Sequence, residues 1–238
     1  MKYIFIFITC FIFLMGIIFF TNYYDYKKIN FLNNEGFRSN NRTIVLVGDS
    51  IIKNNAYSSN GSGIDDILIE RTNNNTFCYA KDNARIVDIY IQIGEIPIEL
   101  NNAKTTIFIS AGGNDILSYY NENSNDEETT SFVKMVFSSY KKLIKNIHTK
   151  LPNSQIILLD IYYPNSIKYK QYHSIIQEWN EMIYNYATQN NNNITDVIKI
   201  SNLLTKNEDF TLSIEPSSIG GTKIADAILN YYSNTDII

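Results

Sequence analysis

The stretch "TIVLVGDSI", residues 43–51, decides the fold class. Five β-branched or leucine residues form a continuous apolar run, the signature of a strand buried on both faces. Gly48 ends the run, and Asp49 and Ser50 follow where the chain must turn. A serine placed there sits at a strand end that leads towards a helix. That position predicts a hydroxyl at the ligand-facing end of a sheet, close to a helix N-terminus. An ordinary helix N-cap is the plainer reading of the same residue.

The same alternation repeats along the chain. "GIDDILIERT" has the spacing of a helix, "TFCYA" (76–80) of a strand, and "NARIVDIYIQIG" of a helix. "TTIFISAGG" (105–113) is a third strand running into a glycine turn. "SFVKMVFSSYKKLIKNIH" (131–148) places Phe132, Val133, Val136, Phe137, Tyr140, Leu143, Ile144 and Ile147 on one helical stripe. "SQIILLDIYYP" reads as the fourth strand, stopped by Pro164, and "YHSIIQEWNEMIYNYA" as a helix. "DVIKI" (196–200) reads as the fifth strand and "GGTKIADAILNYY" as the last helix. Strands alternating with helices imply βαβ units, hence a parallel sheet. Right-handed crossovers make that a three-layer, doubly wound α/β domain with five strands. In such sheets ligands bind beyond the C-terminal strand ends. "GDS", "DNA" and "GGND" all fall there.

The chain has 238 residues and a formal net charge of −4. It lacks the basic footprint of a nucleic-acid partner. Its two cysteines, Cys10 and Cys78, lie in an apolar N-terminus and a strand, so no disulfide framework is expected. Two cysteines and two histidines, His148 and His173, show no metal-ligand spacing.

"YIFIFITCFIFLMGIIFF", residues 3–20, carries no charge and is long enough to span a bilayer core. No small-residue cleavage site follows Phe20, which favours an uncleaved anchor over a removed signal peptide. Residues 1–22 are therefore read as a transmembrane signal anchor, 23–42 as a polar tether, and 43–238 as the folded domain. The membrane is thus one expected partner, through residues 3–20. Positive charge on both flanks leaves the orientation open. N-x-S/T sequons at Asn41, Asn60, Asn74 and Asn193 suit a lumenal or extracellular domain.

Gly112 and Gly113 permit close backbone approach, and the Asn114 side chain can donate to an oxyanion. Asp115 is expected to cap the helix that follows. "GDS" after the first strand and "GGND" after the third together resemble the SGNH (GDSL-like) hydrolases over roughly residues 43–232. The resemblance implies a flavodoxin-like fold and a serine esterase, lipase or deacetylase chemistry that needs no cofactor. It implies Ser50 as nucleophile and first oxyanion donor, and Asn114 as a further donor. Asp49, Gly112, Gly113 and Asp115 would support them. The family's second glycine belongs to a string like A-x-D-G-A. Here the string is "AKDNA", so Asn83 takes that place and keeps the backbone N–H. Asparagine also tolerates the left-handed backbone.

The fourth element departs from the pattern. Where the family has D-x-x-H-P, this chain reads "TLSIEPSSIGG", residues 211–221. Glu215 stands in place of the histidine and Leu212 in place of the aspartate. This resembles a branch of the family that reads IEPS there. A free glutamate titrates near 4.3, roughly two units below histidine, which costs about 2.7 kcal/mol of driving force. Burial can raise a carboxyl to ~6–7 and recover most of it. Leu212 and Ile214, flanking Glu215, are expected to supply that apolar setting. An aspartate serves to orient and stabilise an imidazolium, a service a carboxylate base does not need. The plainer reading of Glu215 is a helix cap or a partner for a surface lysine. His173, early in the helix after the fourth strand, is the alternative base; a packing role is the plainer reading there too. Asp209 has the wrong spacing for the usual role.

Two functions follow as expectations. One is a membrane-anchored esterase acting on an acyl ester of a lipid or glycan, with a Ser50–Glu215 dyad. The other is a catalytically degenerate fold that binds carbohydrate or lipid. The position of a base relative to Ser50 separates them.

Overall fold

The computed structural model describes residues 42–59, 61–119, 126–189 and 194–234. The expected anchor, and the tether up to residue 41, lie outside the described residues. Among the described residues no helix is long and apolar enough to cross a membrane. Arg42–Ile238 forms one compact unit.

Five parallel strands build its sheet: β1 (Thr43–Val47), β2 (Thr76–Cys78), β3 (Thr105–Ile109), β4 (Gln155–Leu159) and β5 (Ile194–Ile198), in the order β2-β1-β3-β4-β5. This is the expected α/β architecture with the flavodoxin-like strand order. Every residue of β1 and of β3 is buried, as a continuous apolar run requires when helices cover both faces. Each fully buried Ile or Leu there contributes roughly 1.5–3 kcal/mol of transfer free energy.

The helices are α1 (Ile64–Arg71), α2 (Ile86–Glu95), α3 (Gly113–Tyr119), α4 (Asp126–Lys150), α5 (His173–Ala187) and α6 (Ser218–Asn234). α1 packs on α6, and α4 on both α2 and α5. Ile44, Leu46 and Phe108 share a core cluster with Leu68 of α1 and Ile224 and Ile228 of α6.

Three boundaries differ from the sequence reading, the first being β4, which ends at Leu159, five residues before the expected stop at Pro164. β2 ends at Cys78, although the Tyr79 N–H still donates to the Leu46 carbonyl at 2.8 Å. β5 starts at Ile194 and ends at Ile198, two residues earlier than "DVIKI" predicts. Beyond Ile198 the chain turns, because the Ser201 N–H is drawn to the Asp160 carboxylate at 2.9 Å.

The strand order reverses around β1, whose neighbours are β2 and β3. A crevice opens at such a switch point, between the loops that leave the two central strands. The segments 48–52 and 110–114 are those loops.

Candidate active site

The first loop depends on Gly48. Its φ is +141°, and a Cβ there would sit 2.3 Å from the Ser110 carbonyl oxygen. The close approach lets the Ser110 hydroxyl donate to Asp49 Oδ1 at 2.7 Å. The Ile51 N–H donates to the same oxygen at 3.1 Å. Asp49 is 1% exposed; burial pushes its carboxyl up to about 6 against the pull of these two bonds. Gln92 of α2 braces the glycine from below. Its Oε1 accepts from the Gly48 N–H and its Nε2 donates to the Gly48 carbonyl, both at 2.8 Å.

Ser50 follows in a turn, not at a helix start. The Ile52 and Lys53 N–H groups both return to the Asp49 carbonyl, at 3.1 and 2.9 Å. Among the described residues the first α-helix begins only at Ile64. The expected helix N-terminus at Ser50 is therefore absent, and the N-cap reading of the serine falls with it.

The second loop depends on Gly112, with φ +102°. A Cβ on it would lie 2.2 Å from Cζ2 of the buried Trp179 ring. Gly113 carries no such constraint, since its nearest neighbours would stand at 3.9 Å. Asn114 lies in the first turn of α3 and donates from Nδ2 to the Ala84 carbonyl at 3.0 Å. Asp115 does not cap its own helix. It lies inside α3 and accepts the Ile86 N–H at 3.1 Å, serving the start of α2 instead.

Asn83 has φ +58°, the left-handed backbone expected of the residue in the glycine position. It is exposed and does not line the cavity described below.

The third loop is a short antiparallel hairpin, β6 (Phe210–Thr211) with β7 (Glu215–Pro216). Leu212 and Ser213 have φ of +47° and +74°, the paired positive values a type I′ turn requires. The Ile214 N–H closes the turn on the Thr211 carbonyl at 3.2 Å. Leu212 is 72% exposed at this tip. It does not shield Glu215, contrary to expectation; Ile214 does line the cavity beside it.

Asp209 is structural. Its carboxylate accepts from Lys223 Nζ at 2.7 Å and from the Thr205 and Lys206 N–H groups at 2.9 Å. Burial works against its charge, but these partners hold it below the usual carboxylate range.

The three loops converge on one cavity of about 540 Å³, counted with its open mouth. Ser50, Asn114 and Glu215 all line it, with Asp49 and Gly113. Its other walls are largely apolar, among them Ile116, Ile161, Tyr162, Tyr169 and Ile176. The Ser50 hydroxyl neighbours the Glu215 carboxyl in this cavity and favours its charged form. Burial pushes that carboxyl up to about 7. The Ser50 hydroxyl opposes the rise, and the charges of Asp49 and Asp82 add to it. Glu215 Oε2 is buried and has no hydrogen-bond partner among the described residues.

His173 is not part of this site. Its Nε2 lies 3.0 Å from the Pro164 carbonyl, and its ring stands edge-on to Tyr163 at 5.4 Å. The packing reading holds for it. Among the described residues no group of three or more His, Cys, Asp or Glu could hold a metal ion.

Sequence reasoning missed Gln92, Ser110 and Trp179. Only Gln92 left a trace, as a polar residue on the buried face of an apolar helix.

A five-stranded parallel sheet in this order, with GDS and GGND turns beyond the ends of β1 and β3, defines the class of GDSL-like hydrolase folds. The chain belongs to the GDSL-like lipase/acylhydrolase family, whose family model matches residues 44–216. No curated protein matches the sequence. Solved structures share the fold. A member of the lipolytic G-D-S-L family from Veillonella parvula is 19% identical, with a TM-score of 0.61 over 80% of this chain and 98% of its own. A psychrotrophic esterase from Pseudoalteromonas is 14% identical, with a TM-score of 0.58 over 82% and 98%. A carbohydrate esterase described as having divergent catalytic and non-catalytic binding functions is 15% identical, with a TM-score of 0.53 over 81% and 68%. At these identities the likeness is one of fold.

Proposed function

We propose that the protein is a serine ester hydrolase in which Glu215 replaces histidine as the base, and that residues 3–20 hold it at a membrane. The observation that carries the chemistry is the Glu215 carboxyl beside the Ser50 hydroxyl, raised to about 7. A base that titrates near working pH is both deprotonated and basic enough to act.

In this reading Glu215 takes the Ser50 proton as Oγ bonds to the ester carbonyl carbon. The oxyanion is met by the Ser50 N–H and by Asn114 Nδ2, from two residues that line the cavity. The bond to the alkoxy oxygen breaks, and Glu215 passes the proton to the departing alcohol. Water then gives a proton to Glu215 and attacks the acyl carbon; the bond to Ser50 Oγ breaks, Glu215 returns the proton to Oγ, and the acid is released. The apolar walls around Ile116, Ile161 and Ile176 suit a hydrocarbon acyl group, so the substrate is read as an acyl ester of a lipid or glycan. The sequons favour the lumenal or extracellular side for the domain.

A second reading is a catalytically silent fold that binds carbohydrate or lipid. One observation favours it: one Asn114 N–H is already committed to the Ala84 carbonyl. Fluorophosphonate labelling separates the two. The esterase reading expects labelling that Ser50→Ala and Glu215→Gln both abolish. An unlabelled parent chain replaces it with the binding reading. Membrane attachment is tested by carbonate extraction, where release of intact protein into the supernatant would rule out a spanning anchor.

A further inference from the structure

The β6–β7 hairpin separates two concavities. Ile214 and Glu215 line the cavity with Ser50, whereas Thr211 and Leu212 line an open groove of about 800 Å³ on the other side. The two linings differ in kind. The groove carries the hydroxyls of Tyr57, Ser58, Ser59, Thr211, Ser217 and Ser218, drawn from three separate segments.

Most of these hydroxyls are held in place by the protein. Ser59 and Ser218 pair through their oxygens at 3.0 Å, and the Ser59 N–H donates to Ser218 Oγ at 2.8 Å. Ser217 Oγ donates to the Glu208 carbonyl at 2.6 Å, and Ser58 Oγ to the Asn55 carbonyl at 3.1 Å. The Tyr57 hydroxyl donates to the Asp82 carboxylate at 2.9 Å. A hydroxyl whose proton is spent inside the protein still has an oxygen that accepts. Ser217 Oγ already accepts the Ile219 and Gly220 N–H groups at 3.2 Å, and Ser218 Oγ is occupied by Ser59. Tyr57 and Ser58 keep oxygens that the groove presents as fixed acceptors to a ligand rich in O–H donors. Two apolar side chains, Leu212 at 72% exposure and Ile219 at 49%, add surfaces for C–H faces.

The groove also adjoins the base. Burial and the bond to Asp82 raise the Tyr57 phenol, and the charge of Glu215 adds to the rise. The alcohol that leaves the acyl carbon collects its proton from Glu215, so its far end needs a place near that carboxyl.

We propose that this groove is the subsite for a polyhydroxylated alcohol, so that the substrate is an acyl ester of a sugar or polyol. The proposal rests on the esterase reading above, with the acyl group in the apolar cavity and the polyol across the hairpin. The test compares glucose monobutyrate with ethyl butyrate on the full-length chain, in a detergent that carries no sugar headgroup. The parent is expected to show kcat/KM at least about tenfold higher for the sugar ester, the size of one or two directed hydrogen bonds. Ser59→Trp, which fills the groove, should bring that ratio close to one. Glu208→Ala, which removes a flanking carboxylate and leaves the backbone contacts in place, is a milder second variant expected to lower it part of the way. An equal rate for the two esters in the parent, or a ratio that folded Ser59→Trp leaves unchanged, overturns the subsite while leaving the esterase reading intact. If neither ester is hydrolysed, the esterase reading fails instead, and calorimetric titration of the sugar ester into the parent decides the groove: binding that Ser59→Trp abolishes supports it, and no binding overturns it.

Discussion

The Glu215 carboxyl faces the Ser50 hydroxyl from the second strand of a two-residue-paired hairpin, and it is held up to about 7 mainly by burial. This is the relationship from which the chemistry follows. Its first consequence is a pH profile. The kcat/KM of an activated ester should rise with pH through an apparent pKa near 7, well above a free glutamate. Asp82→Asn removes one repelling charge and should move that limb to lower pH. Glu215→Gln should reduce turnover by at least roughly 10²-fold, the lower range for loss of a general base. A profile that rises below pH 5, or a fully active Glu215→Gln protein, would remove Glu215 from the mechanism.

The same carboxyl should cost stability at neutral pH. Its folded value of about 7 exceeds its ordinary 4.5, so between those values the folded protein holds more protons than the unfolded chain. The stabilising contribution of the protonated form is complete below about 4.5 and is lost as pH rises through about 7. Glu215→Gln should therefore melt higher than the parent at pH 8, by on the order of 1 kcal/mol after allowing for solvent screening. At pH 4 the difference should vanish. Thermal melts at the two pH values check this, and an equal gain at both would show that charge is not the cause.

Asn114→Ala should lower kcat by roughly 10²–10³-fold with a smaller change in KM, the pattern of a donor used mainly in the transition state. It also removes the 3.0 Å bond to the Ala84 carbonyl. A circular dichroism melt distinguishes the two effects. An unchanged kcat in a folded variant would leave Asn114 as a loop tie alone.

Gly112 and Gly113 are adjacent but should respond differently to substitution. Gly112→Ala drives a Cβ into the Trp179 ring and requires an alanine at φ +102°. The expected loss is about 2–4 kcal/mol, from overpacking and backbone strain together. Gly113→Ala meets only atoms at 3.9 Å inside a helix, so its melting temperature should stay close to the parent's. Equal destabilisation by both would contradict the role assigned to Trp179.

The hairpin tip is open to improvement. Leucine in the left-handed region costs roughly 1–2 kcal/mol, and the turn type prefers Asn-Gly. Leu212→Asn with Ser213→Gly should raise stability by about 1 kcal/mol, read from denaturant midpoints. A lower midpoint would mean that the Leu212 side chain makes contacts worth more than the strain.

Local pattern in the sequence determined the strand and helix alternation, the parallel sheet, the glycine turns and the presence of Ser50, Asn83, Asn114 and Glu215 in the loops. These were legible because a buried strand, an amphipathic helix and a left-handed turn each write their requirement within a few neighbouring residues. The missing histidine was legible for the same reason. Tertiary structure alone decided which side chains meet. Gln92 clasps Gly48 across 44 residues, and Ser110 reaches Asp49 across 61. Trp179 fills the space that Gly112 vacates, and Asp115 serves a neighbouring helix instead of its own. Leu212, three residues before the base in sequence, turns to solvent because its hairpin needs two left-handed residues at the tip. The raised carboxyl of Glu215 belongs to this second group. A pKa depends on how much water is removed and which charges remain nearby, and both are properties of the packed loops, not of the residues along the chain.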